Sequence, residues 1–166
     1  MMPSSGNIVA PARSAAEQHR LHEALRDLFE ERIVFNRLLG LRIESFDPAG
    51  PRLSFAMRPD FVGHFQSGRL HGGVISAVLD ATGGLSLMCS IAEKFASDDT
   101  EQVMHRIARM GTIDLRVDYL RQGLGRRFEA SARTTRLGGR IGSVQCQLEN
   151  ESGVLIATAS AAYVVS

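Results

Sequence analysis

The hydrophobic pattern changes period twice along the chain. Leu21, Leu25, Leu28 and Phe29 recur at helical spacing behind Ser14-Ala15-Ala16-Glu17, a capping box with Ser at the N-cap and Glu three residues on. Together they predict a helix to about Arg32. A further turn over Val34 to Leu39 stops at Gly40. "LRIESFD" and "RLSFAMR" read as two strands joined by the turn Pro48-Ala49-Gly50-Pro51, and residues 59–69, with Pro59, Gly63 and Gly68, read as a loop. From about His71 to Phe95 apolar residues cover every side of a helical wheel, including Val74, Ile75, Val78, Leu79, Leu85, Leu87 and Met88. Such a helix belongs in a core. Ser97-Asp98-Asp99 caps a more polar helix ending near Met110. After Gly111 the stretches "TIDLRVDYL", "RFEASARTTR", "RIGSVQCQLE" and "LIATASAAYVV" read as strands, with glycine in the turns between them. The alternation in "TIDLRVDYL" predicts one dry and one wet face.

These parts, in this order, predict an α+β fold: an antiparallel sheet of about five or six strands wrapped around one long central helix. The 166 residues, 44% hydrophobic, suit a single domain over 14–166 behind a loose tail at 1–13, with 14–39 as a helical extension. A net charge of +1 gives no reason to expect a nucleic-acid footprint or an anionic membrane surface. No apolar run reaches about 18 residues without a break, so a transmembrane span is not expected. Cys89 and Cys146 stand alone, outside any metal-ligand or redox spacing, and with no leader pattern the expected compartment is the reducing cytoplasm. Cys89 lacks a histidine partner for thiol chemistry. His19 and His22 sit three apart with no acid or cysteine to complete a metal set, so no metal is expected.

Chemistry concentrates in "LHGGVISAVLDATGG", residues 70–84. An unpaired carboxylate at Asp80, among apolar neighbours, would cost several kcal/mol, so it needs partners or a purpose. Thr82, Thr112, the backbone or a solvent-filled pocket could supply the partners. Gly72 and Gly73 lie where a helix leaves its N–H groups unpaired, and without Cβ atoms they let an oxygen come close. That is the construction of an oxyanion hole; the plain alternative is tight packing of loop on helix. Gly72 and Asp80 are eight residues apart, about 12 Å along one helix. One acyl carbon cannot sit near both, so if both act, the site takes one from each of two copies.

"HGGVISAVLD", followed by "MGTIDLRVDYLRQG" and "LGGRIGSVQCQLENESGVLIATASAAYVV", resembles the hotdog-fold acyl-CoA thioesterases of the PaaI-type branch. "FNRLLGLRI" is similar to the bacterial YigI-like members, associated with medium- and long-chain acyl-CoA. The resemblance runs from about Phe35 to Val165. It implies a cytoplasmic homodimer, or a dimer of dimers, that hydrolyses an acyl-CoA to free acid and CoA with no cofactor beyond CoA in the substrate. Asp80 is then base or nucleophile, Gly72 the oxyanion donor, and Thr112 a hydroxyl that helps hold water. Where such enzymes carry Asn or Gln before the His-Gly-Gly, this chain has His64 and Phe65, with Gln66 next, so His64 or Gln66 takes that role. His71 is a base, or orients the turn through a ring N–H given to the backbone. Gly73 joins the substrate-binding backbone; Arg121 and the Gly139-Arg140 turn are candidates for the CoA phosphates. Two other readings are an acyl-CoA-binding regulator without catalysis and a hydratase, for which Asp60 with His64 is a poor acid–histidine pair.

Overall fold

The computed structural model describes residues 11–166. Most of the expected 1–13 tail lies outside that range, but Arg13 is anchored: its N–H bonds Ala96 O at 2.6 Å and its guanidinium bonds the carbonyls of Phe95 and Asp98 at 2.8 and 2.9 Å. Helix α1 (Ala15–Arg26) starts as expected, with Ser14 Oγ accepting the Glu17 N–H at 3.2 Å. The other half of the capping box is not formed. Glu17 instead accepts the Thr100 N–H at 2.9 Å and hydroxyl at 2.7 Å, tying α1 to the start of the later helix. The helix runs on as a π-helical turn, Asp27–Arg32, before α2 (Val34–Leu39), which stops at Gly40 with φ of +69°.

Strands β1 (Arg42–Ser45) and β2 (Arg52–Ala56) follow. The expected loop at 59–69 is more ordered than its composition suggests: a 3-10 turn (Pro59–Phe61) leads into a ribbon of β3 (Val62–His64) and β4 (Arg69–Leu70). Helix α3 (Gly72–Lys94) comes next, then α4 (Thr100–Ile107), closed by a full capping box between Asp99 and Gln102. The four remaining strands are β5 (Gly111–Tyr119), β6 (Arg127–Leu137), β7 (Ile141–Asn150) and β8 (Leu155–Val164). One antiparallel sheet of six strands, in the order β1-β2-β6-β7-β8-β5, wraps α3. This is the hotdog architecture that the resemblance implies.

The seating of α3 follows from side-chain size. Ala157, Ala159 and Ala161 on β8 are buried and small, so the helix lies close on the sheet, and Tyr163 is the one large side chain in that row. By length and mean hydropathy α3 is apolar enough to cross a membrane, contrary to the reading of unbroken runs alone, but here it is the helix around which the sheet folds. The expectation of apolar cover on every side is also corrected. Ile75, Val78, Leu79 and Leu85 to Leu87 are buried apart from solvent, whereas the stripe Ser76, Ala77, Asp80, Ala81, Gly84 and Met88 is half-exposed.

Candidate active site on the central helix

Asp80 stands in that half-exposed stripe, at the wall of a groove of about 510 Å³ between α3, the N-terminal helices and β5. Two hydroxyls reach the same carboxylate oxygen: Thr112 donates to Oδ1 at 2.8 Å and Tyr163 to Oδ1 at 3.1 Å. Tyr163 is also 2.7 Å from the Asp80 backbone oxygen. Thr82 is no partner, since its hydroxyl bonds Val78 O. Among the described residues nothing bonds Oδ2, which leaves it open for chemistry.

Thr112 arrives there through a backbone irregularity. The register of β5 against β8 shifts between Thr112 and Asp114, a bulge that leaves Ile113 unpaired and 58% exposed. Strict alternation would put Thr112 on the wet face with Asp114 and Arg116. The extra residue reverses the phase, so Thr112 sits opposite Tyr163 and both turn to the helix. Tyr163 was not singled out from the sequence. The signal for it was Gly83: a Cβ there would lie 2.4 Å from the Tyr163 hydroxyl, so glycine is what lets the phenol reach the helix backbone. Burial, with the nearby Asp80 charge, pushes the Tyr163 phenol far above its usual range, so it stays a donor.

The start of α3 uses its glycines differently. His71 is the N-cap, and its Nδ1 accepts the Gly73 N–H at 2.8 Å. This reverses the expected direction of that bond and leaves the ring hydrogen on Nε2, which rules His71 out as a base through Nδ1. A Cβ on Gly73 would sit 2.9 Å from that nitrogen, so Gly73 makes room for the cap, not for substrate, and its N–H is spent. Val74 and Ile75 donate to His71 O. Gly72 alone in this turn keeps an N–H with no acceptor among the described residues, while its carbonyl takes Ser76 and Tyr119 hydroxyls, both at 3.1 Å.

The structure does not unite the remaining candidates within one chain. His64 and Gln66 lie on the β3–β4 ribbon beside His71, where a Cβ on Gly63 would be 2.6 Å from His71 Cα, and neither lines the groove at Asp80. His64 pairs with Ser67 and stacks on Phe65. Arg121 donates to Leu155 O at 3.0 Å, and Arg140 is exposed on the β6–β7 turn. Gly139 lines a separate cavity of about 280 Å³ at the far end of α3, with Lys94, Arg106 and Arg109. His22 stacks on Phe46, and no metal-ligating cluster is found among the described residues. Burial pushes the thiols of Cys89 and Cys146 up to about 12, which removes both as nucleophiles at neutral pH.

Comparison with known proteins gives a consistent result. Residues 67–157 match the profile of the thioesterase superfamily. The medium/long-chain acyl-CoA thioesterase YigI of Salmonella typhimurium is 40% identical over 139 residues, 84% of this chain and 90% of that protein. Its Escherichia coli K12 counterpart is 38% identical over the same shares. Among solved structures, a Shewanella oneidensis protein related to the thioesterase superfamily has a TM-score of 0.85 at 32% identity, over 93% of this chain and all of that one. Mouse thioesterase superfamily member 2 has a TM-score of 0.66 at 18% identity over 93% of this chain and 100% of its own, a likeness of fold alone.

Proposed function

The chain belongs to the thioesterase superfamily, and on that premise we propose that it hydrolyses medium- to long-chain acyl-CoA to free acid and coenzyme A at a site shared between two copies. The observation that carries this reading is the treatment of Asp80: two hydroxyls on Oδ1, Oδ2 open, and the whole at the wall of an apolar groove. Oδ2 takes a proton from water, and the hydroxide adds to the thioester carbonyl carbon. The carbonyl oxygen, now anionic, accepts from the free Gly72 N–H of a second copy at its helix N-terminus. Collapse breaks the C–S bond, and Asp80 returns its proton to the departing thiolate.

The second copy is required by the same spacing noted from the sequence, about 12 Å between Gly72 and Asp80 along α3. Two surface features support its docking: β5 is one edge of the sheet, and Ile113 and Tyr119 on it are more than half exposed, as are Phe35 and Leu38 on α2. A copy that delivers Gly72 also delivers the neighbouring ribbon, so His64 or Gln66 contacts the thioester from that side. Arg121, just past Tyr119 and so near the start of α3, is assigned to the CoA phosphates, joined by Arg140 of the second copy. The two buried, reduced thiols suit a cytoplasmic setting. A thiol-release assay with decanoyl-CoA tests the reading. The wild type releases CoA and Asp80→Asn loses at least about 1,000-fold in kcat; full activity in that variant overturns it.

A further inference from the structure

Along α3 the groove at Asp80 carries a hydroxyl at one end, Ser76 beside Ala77, and only apolar positions at the other. Towards the start of α3 it ends at Ser76, whose hydroxyl meets that of Tyr119. In the other direction the helix offers only Ala81, Gly84 and Met88, at successive steps of one face. Phe29 and Ile33 of the N-terminal helices stand opposite, and Met110 closes the far end with Met88. A Cβ at Gly84 would meet nothing within 4 Å, in contrast to its neighbour Gly83. Gly84 is therefore not required by packing. What its missing side chain keeps open is the groove.

We propose that this limb is the acyl-chain channel, that Gly84 is the residue that admits long chains, and that the Met88–Met110 pair sets their length. The proposal rests on the thioesterase reading and extends it to chain selection. Continuity with the catalytic carboxylate identifies the occupant: a chain whose carbonyl sits at Asp80 has its alkyl tail in the apolar limb and its polar CoA arm towards Ser76 and Tyr119. The lengths agree. Met88 is eight residues past Asp80, about 12 Å along the helix. An extended alkyl chain, with C–C bonds of ~1.5 Å at ~111°, advances roughly 1.25 Å per carbon, so about ten carbons reach Met88. Gly84, four residues past Asp80 and about 6 Å on, is reached by about the fifth. Two methionines at the end, unbranched and adaptable, yield to a range of chains where a branched wall would impose one length.

The test is Gly84→Leu, which fills the limb while favouring the helix, since leucine is the better helix former and its Cβ has space. The readout is the ratio of kcat/KM for decanoyl-CoA to that for butyryl-CoA, expected to fall by at least about 100-fold, because some five methylenes lose their burial. Met88→Ala is expected to shift the preference to longer chains. An unchanged ratio in Gly84→Leu overturns the channel while leaving the thioesterase reading intact. So does an altered oligomeric state by sedimentation with an unchanged ratio, which would mean that the groove holds a second copy's side chain. If the wild type cleaves no acyl-CoA, the thioesterase reading fails. Calorimetric binding of decanoyl-CoA and butyryl-CoA to Asp80→Asn, with and without Gly84→Leu, then still decides the channel. A preference for decanoyl-CoA that Gly84→Leu abolishes supports it, and no preference overturns it.

Discussion

At the scale of single residues, the site depends on how one carboxylate is held. Thr112 and Tyr163 both donate to Oδ1, and a hydrogen bond to a charged group is worth about 1.5–3 kcal/mol. Tyr163→Phe is expected to lower kcat by about 10–100-fold with KM little changed, because the phenol hydroxyl is engaged by Asp80 and positions it. Gly83→Ala should reach the same end from the other side, since its Cβ would lie 2.4 Å from the phenol oxygen. A double-mutant cycle checks the coupling: in the Tyr163→Phe background the oxygen is gone, and the alanine should cost clearly less in stability and activity than it does alone. Additive costs would mean that Gly83 serves only Val144, the other atom in its way. Asp80 and Gly72 stood out in the sequence because an acid on an apolar helix and a glycine at a helix start are local anomalies, whereas Thr112 came only from the resemblance and as one of several possible partners for Asp80. Tyr163 did not stand out, because a tyrosine in a closing strand looks like ordinary core. Its role exists only through the register that sets it opposite Thr112.

At the scale of elements, the periodicities located α1, α2, α3 and the four late strands, and the reasons are local caps and turns. What they missed has long-range causes. Glu17 left its own capping box for Thr100, and the bulge in β5 reversed the face of Thr112; neither is encoded within a few residues. The π-helical turn, whose Phe29 lines the groove, adds another such case, Glu30, which ends up buried. Its carboxylate accepts the Ile43 N–H at 2.8 Å and lies between Arg42 and Arg26, at 2.8 and 2.9 Å. Burial works against the charge, but the Ile43 amide and the two guanidiniums outweigh it, so the group is held below the ordinary glutamate value of 4.5. A carboxyl lowered in the folded state stabilises above its unfolded value and loses that contribution as pH falls through the folded one. Glu30→Gln is therefore expected to cost about 1–3 kcal/mol at pH 7, with the gap to wild type closing below about pH 4.5, measured by denaturant unfolding across pH. A gap that does not narrow at all below about pH 4.5 would mean that shape, not charge, holds the turn to β1.

At the scale of the whole molecule, the fold was legible because one apolar helix followed by four strands has few ways to bury itself, and six antiparallel strands around that helix is the result. The site was half legible. In the proposed mechanism the acid and the oxyanion donor lie about 12 Å apart along α3, so one substrate reaches both only across two copies. On that proposal the Gly72 N–H, the Asp80 Oδ2 and the β5 edge are complementary parts of one assembly. The most direct test exchanges those parts between chains. Gly72 is the first residue of α3, where proline is tolerated, and His71 before it is already extended with ψ of 136°, so Gly72→Pro deletes the N–H without breaking the helix. Gly72→Ala carries the same Cβ, 3.3 Å from the Tyr119 ring, and keeps the N–H as a control. Alone, Gly72→Pro should lose at least about 100-fold in kcat and Asp80→Asn at least about 1,000-fold. Refolded together in equal amounts, half the dimers carry one of each chain, and each of those has one intact site, so activity should return to about a quarter of wild type. A mixture no more active than its two components would contradict a site built from two copies.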